Sequence, residues 1–177
     1  MKKRNRISKG RYVVIFILLF LAMADSLFLL YEHFTPNVSK FCTFGESFDC
    51  GIVNKSPYAN IDGISFLLTI DFSLPLPLIN LSDINFFSDL MTSNAFLGFL
   101  TMLFLLGLIL ALKNGKGFLW IEKGNVLKWA KGITLFSLLY GFYLFLIQHF
   151  ILKTYCILCI ALDLLIVSLL IMVWRYK

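Results

Sequence analysis

Apolar residues run through this chain in four long blocks, with polar and charged residues gathered between them. Residues 12–31, 93–112, 129–150 and 155–174 are each mainly apolar over about 20 positions or slightly more. That is the length a helix needs to cross the hydrocarbon of a bilayer. Gly98, Gly107 and Gly141 interrupt the blocks and are candidate points of close helix approach. Between the first and second blocks lies a long mixed stretch, 32–92. Within it, Phe41–Asn54 predicts a turn and a short helical piece. Residues 64–80 are apolar but broken by Asp71, Pro75 and Pro77, too interrupted to span. This segment reads either as an interfacial or re-entrant lid on the outer leaflet or as a plain lipid-contacting loop. Thr92, Ser93 or Asn94 is the candidate N-cap of the second span. The pattern predicts an all-α, integral membrane four-helix bundle, one domain over 1–177, with a long extracytoplasmic cap between helices 1 and 2.

Composition fits this. The chain is 59% hydrophobic and only 15% charged, against about a quarter charged in soluble proteins. The net charge of +6 follows the spans rather than a nucleic-acid surface. Lys2, Lys3, Arg4, Arg6, Lys9 and Arg11 precede the first span. Lys113, Lys116, Lys123, Lys128 and Lys131 join the second to the third, and Arg175 and Lys177 follow the fourth. Thus 13 of the 16 basic residues fall on one side, which the positive-inside rule makes cytoplasmic. Both termini are then cytoplasmic in a plasma or inner membrane. The stretch 32–92 and the turn before Cys156 face outward, carrying Lys40, Lys55, Lys153 and most of the acids, Glu46 and Asp83 among them. Ala22-Met23-Ala24 gives the N-terminus some character of a cleaved signal, but the apolar run continues to full spanning length and favours an anchor.

This orientation brings four cysteines to one face. Cys42 and Cys50, with seven residues between them, lie in the outer loop. Cys156 and Cys159 form a C-x-x-C where the fourth span begins. An exterior compartment is where disulfides persist, and a helix start favours the thiolate of the first cysteine. The layout suits passage of electrons from a soluble thiol to a lipid-soluble acceptor. Cys42, nearer solvent by position, is the candidate point of attack by an external thiol. Cys50 would relay to Cys156, and Cys159, a turn deeper, would meet a membrane quinone. Two rivals use the same residues. One is a pair of static staples in a non-enzymatic membrane scaffold. The other is a zinc site, for which the spacings are wrong and no histidine is adjacent, so no metal is expected.

Asp25 and Asp163 are ionisable groups inside spans, where they are costly and candidate functional residues. Asp163 lies four residues after Cys159, on the same helix face. Gln148 and His149 close the third span as interfacial anchors or acid–base groups. Tyr31, Tyr140 and Tyr155 are candidates for the outer aromatic belt.

Cys42-x₇-Cys50, then Ser56, then Asn94 at the second span and Cys156-x-x-Cys159 at the fourth together resemble the vitamin K epoxide reductase family over nearly the whole chain. Asp25-Ser26 and Ser93–Gly98 resemble its prokaryotic members. The resemblance implies that Cys42 exchanges with a thioredoxin-like partner, that Cys50 shuttles to Cys156, and that Cys159 meets the quinone. It also implies that Ser56 and Asn94 lie near the quinone head group. Prokaryotic members reduce a quinone (ubiquinone or menaquinone) and so drive disulfide formation. Many carry a fused thioredoxin-like domain; here a separate extracytoplasmic protein is the expected partner. Members of the vitamin K cycle carry tyrosine where this chain has Asp163, so reduction of vitamin K quinone or epoxide proper is the alternative reading. The link from Ser56 to Asn94 is also longer than usual, which predicts a differently built cap.

Overall fold

The structure, a computed structural model, describes residues 9–36, 42–44, 47–75, 77–81 and 84–175. Lys2, Lys3, Arg4, Arg6, Lys40, Phe41, Gly45, Glu46, Asp83 and Lys177, singled out above or within segments discussed there, lie outside the described residues. Among the described residues, four helices are long and apolar enough to cross a membrane. They are α1 (Lys9–Phe34), α5 (Asn94–Asn114), α6 (Val126–Ile147, continued by a π turn Gln148–Leu152) and α7 (Ile157–Trp174). The chain is an all-α membrane bundle. Between α1 and α5 come a two-residue antiparallel pair, β1 (Thr43–Phe44) with β2 (Phe48–Asp49), then α2 (Cys50–Asn54) and a 3₁₀ turn (Pro57–Ala59). After these come α3 (Gly63–Phe66) running into a π turn (Leu67–Asp71), and α4 (Phe86–Thr92).

Local chemistry sets the element ends. Pro36 follows the last turn of α1, where Thr35 N and Oγ1 both donate to the Tyr31 carbonyl; the residue before a proline avoids the helical region. Ser93 is the N-cap of α5, its Oγ accepting from Phe96 N at 3.2 Å. Gly115, at φ 65°, closes that helix in the left-handed conformation and donates back to Ala111 and Leu112. Glycine takes this conformation without a Cβ clash.

The four spans form a ring in which α1 touches α5 and α7, and α6 touches the same two. Lipid gives no hydrophobic drive between helices, so close packing holds them. The half of the bundle bearing the basic linker is filled by Ile15, Leu19 and Ala22 of α1, Met102, Leu105 and Leu108 of α5, and Ile166, Leu169 and Val173 of α7. Small residues permit several contacts. A Cβ at Gly98 would sit 3.5 Å from Ser26 Oγ, and one at Gly141 would collide with the Asp163 carboxylate. Gly107 serves a different purpose from close helix approach: its missing side chain admits the ring of Phe118 from the α5–α6 linker, which meets Phe104 edge-on.

The opposite half carries the cap. The strand-like bridge Asn60–Ser93 joins it to the start of α5, with Ile61 N donating to Thr92 O at 2.9 Å. Side chains pin the remainder. Tyr58 Oη donates to Asp71 Oδ2 at 2.5 Å, Leu81 N to Asp62 Oδ2 at 2.7 Å, and Ile79 N to Ser65 Oγ at 2.8 Å. The described residues of 64–80 are thus one helical turn, one π turn and an irregular strap. They leave Ile70, Phe72, Leu78 and Ile79 turned outward.

Candidate functional site

Cys42 and Cys50 are joined in a disulfide with Cα atoms 5.6 Å apart, and Cys156 and Cys159 are free thiols. Cys42, Cys50 and Cys156, each 0% exposed, belong to one buried cluster with Leu29, Val53 and Ala95, and Cys159 packs against it. Cys42 is therefore no nearer to solvent than Cys50, contrary to the expectation from its position. The reason is the short hairpin. Asp49 N donates to Tyr155 O at 3.1 Å and Tyr155 N to Ser47 O at 3.0 Å, stitching the loop to the residue before Cys156. The rings of Phe48 and Tyr155 lie 5.8 Å apart across this join.

Both pairs meet a helix start. Asp49 caps α2, its Oδ1 accepting from Gly51 N at 2.8 Å and Ile52 N at 3.1 Å, which sets Cys50 as the first helical residue. Cys156 is itself the N-cap of α7: its Sγ accepts from Cys159 N at 3.2 Å. The Cys156 N–H is held by Gln148 Oε1 at 2.8 Å. Gln148 is buried; it is a structural partner of the C-x-x-C rather than an interfacial anchor, because the π turn rotates it inward. His149 is exposed and faces Tyr155 Oη at 2.6 Å.

Beneath this cluster lies a cavity of about 310 Å³, the lower end of the range for small-molecule sites. Its wall is mainly apolar, built from Leu29, Val53, Ala95, Leu97, Phe136, Leu144, Leu162 and Ile166. The polar residues on it are His33, Asn54, Ser56, Tyr58, Asn94, Thr101, Ser137, Tyr140, Gln148 and Asp163. Of the four cysteines, Cys159 alone reaches the wall.

Ser56, Asn94, Asp163 and Cys159 thus line one space. Ser56 Oγ donates to Val53 O at 2.8 Å. The Asn94 amide is engaged at both ends, Nδ2 donating to Tyr58 O at 2.9 Å and Oδ1 accepting from Tyr140 Oη at 2.7 Å. Tyr140 consequently points into the bundle instead of joining an outer belt. Asp25 is not on the wall. Its Oδ2 is buried with no hydrogen-bond partner among the described residues, although both Asp25 and Asp163 are electrostatic neighbours of Cys159. His33, Tyr58 and Tyr140 were not evident from sequence as cavity residues, since no spacing ties them to the cysteines.

A C-x-x-C at the mouth of a membrane span, packed on a buried disulfide and presenting one sulfur to an apolar cavity, is the centre of the site in this integral membrane protein. The sequence profile of the Vitamin K epoxide reductase family matches residues 13–174, and the chain belongs to that family. Its members are membrane oxidoreductases that act on quinones. Among curated proteins none matches the chain.

Proposed function

We propose that this protein is a thiol:quinone oxidoreductase that takes electrons from an extracytoplasmic thioredoxin-like protein and gives them to a membrane quinone, supporting disulfide formation outside the cytoplasm. The observation that carries the reading is the division of the sulfurs: all four pack together, but Cys159 alone opens onto the apolar cavity.

The steps balance. A partner thiolate attacks Cys42, the Cys42–Cys50 bond breaks, and Cys50 leaves as thiolate. The partner's second thiol then resolves the mixed disulfide, leaving the loop pair as a dithiol. Cys50 attacks a Cys156–Cys159 disulfide at Cys156, and Cys42 resolves that link, so two electrons pass to the C-x-x-C. Cys159 adds to the quinone ring, and Cys156 attacks the Cys159 sulfur, releasing quinol and restoring the disulfide. Ser56, Asn94 and Asp163 supply polar contacts for the quinone oxygens, and Asp25 acts on the site from behind the wall. The basic linker side is cytoplasmic, with both termini, and the cysteines face outward.

The test is purified protein with a reduced thioredoxin-like substrate and ubiquinone or menaquinone, followed by quinone absorbance. Consumption that depends on Cys159 is expected. A wild-type rate no greater than that of Cys159→Ser removes the reading.

A further inference from the structure

The α5–α6 linker, at the end of the bundle away from the thiols, carries a tight hairpin. Phe118 and Ile121 face each other across a two-residue turn, Phe118 N donating to Ile121 O at 3.0 Å and Ile121 N to Phe118 O at 2.8 Å. Gly117 lets the chain close on itself, since a Cβ there would lie 2.7 Å from Ile121 O. Both flanking side chains dock on the bundle. Ile121 is buried in the core at this end, and the Phe118 ring fills the notch at Gly107. The turn residues point the other way. Leu119 is 68% exposed, and Trp120, at 78%, is the most exposed large apolar side chain among the described residues. Leu119 has φ 48°, a conformation that this turn position ordinarily gives to glycine, asparagine or aspartate. The hairpin thus accepts an unfavourable backbone in order to display leucine and tryptophan.

The depth of the turn follows from α5. The 21 residues of that helix rise about 30 Å, the thickness of a hydrocarbon layer. Gly107 precedes the last helical residue, Asn114, by seven positions, so the Phe118 ring sits about 10 Å in from the helix end. The linker therefore folds back along the bundle and brings its tip to the boundary between headgroups and acyl chains. Water still reaches the turn's own amides there, as it would not in deeper hydrocarbon. Charge agrees with this placement. Lys113, Lys116, Lys123, Lys128 and Lys131 flank the turn in sequence, against Glu122 alone. All three tryptophans, Trp120, Trp129 and Trp174, belong to this end of the bundle, and tryptophan favours the membrane interface.

We propose that the linker is a re-entrant hairpin whose Leu119 and Trp120 enter the leaflet at the basic end, among acidic phospholipids, with Phe118 in the Gly107 notch as the peg that holds it there. The occupant of the exposed tip is lipid: leucine and tryptophan meet acyl chains, and the lysines meet headgroup phosphates. The hairpin fixes the depth of α5 and α6 and is independent of the thiol chemistry.

The test uses the full chain with Trp129→Phe and Trp174→Phe, which leave Trp120 as the sole indole, in vesicles of phosphatidylcholine and phosphatidylglycerol. Trp120 should lose most of its emission to phospholipid brominated near the top of the acyl chain, and little to aqueous acrylamide. At equal mole share, brominated phosphatidylglycerol should quench it more than brominated phosphatidylcholine; equal quenching overturns the acidic preference. Phe118→Ala in the same background, a change outside the spans, should weaken quenching by lipid and strengthen quenching by acrylamide. Unchanged quenching in that variant overturns the role of the peg. Free access of acrylamide without quenching by lipid places the tip in water and overturns the proposal. Protection from both quenchers places a second copy of the chain on the tip and overturns it equally.

Discussion

Asn94 is the residue on which cap, second span and third span converge, because its one amide serves Tyr58 O and Tyr140 Oη together. Asn94→Ala deletes both bonds and leaves the Tyr58 carbonyl and the Tyr140 hydroxyl to find other partners. Tyr140→Phe deletes only one. A hydrogen bond inside a membrane bundle is worth roughly 0.6 to 1 kcal/mol net. Thermal unfolding in detergent should therefore rank wild type above Tyr140→Phe above Asn94→Ala, the last losing about 2 kcal/mol as two bonds vanish. If quinone also touches this amide, the Michaelis constant for quinone rises more than the turnover number falls. Sequence pointed to Asn94 as a site residue only through the family resemblance, the apolar pattern making it no more than one of three N-cap candidates. It could not point to Tyr140 or Gln148, whose inward direction depends on which side of α6 faces α5 and α7. That side is fixed by packing, as at Gly141 against Asp163, and by a π turn that no residue pattern announced.

Among the elements, the hairpin β1–β2 governs access to the loop disulfide. Cys42 and Cys50 are both fully buried, so an attacking thiolate reaches them only after the Ser47–Asp49 segment parts from Tyr155. Tyr155→Ala keeps the two backbone bonds but removes the ring contact with Phe48 and the bond to His149. Loss of about 1 kcal/mol of aromatic contact makes local opening easier by roughly fivefold. Reduction of the Cys42–Cys50 disulfide by a small dithiol should accelerate by that factor; an unchanged rate would show that opening does not limit attack. The cap carries a clasp with its own pH signature. Burial, then the bond to Asp71 and its charge, push the Tyr58 phenol up from 10.0 to about 12. A raised phenol favours the protonated, donating form in the folded chain. The clasp's contribution is whole below the ordinary tyrosine range, declines above it and is lost as pH rises through about 12. The wild-type cap should loosen over that alkaline interval, as read by hydrogen exchange at 79 and 81, and Tyr58→Phe should remove the dependence. The spans themselves were legible to within a few residues, since hydropathy and caps act locally: 93–112 was expected and Asn94–Asn114 is found with Ser93 as cap. The β pair and the strap were not, because they exist only through tertiary partners: Tyr155 for the hairpin, Asp62 and Ser65 for the strap.

For the whole molecule, the proposed relay depends on where the bundle lies in the bilayer. The basic linker between α5 and α6 and the cap between α1 and α5 occupy opposite ends of the ring of spans. Lys113 and Lys131 settle over the rings of Phe16 and Trp174 at the first end, as long cations do when they reach from a span to the interface. The cysteine cluster and the cavity share the second end with the cap. Four spans make the two ends accessible from different compartments, and buried Cys42, Cys50 and Cys156 are poor reporters of which is which. Exposed positions report better. Ile84 in the cap is 64% exposed, and Lys116 in the linker is exposed. With positive residues retained inside, an impermeant maleimide added to intact cells should label Ile84→Cys promptly and Lys116→Cys only after permeabilisation. The opposite pattern would place the thiols in the reducing compartment. There the Cys42–Cys50 disulfide would be held open by the cytoplasmic thiol pool, and a chain oriented that way could not export oxidising equivalents from quinone to an exterior partner.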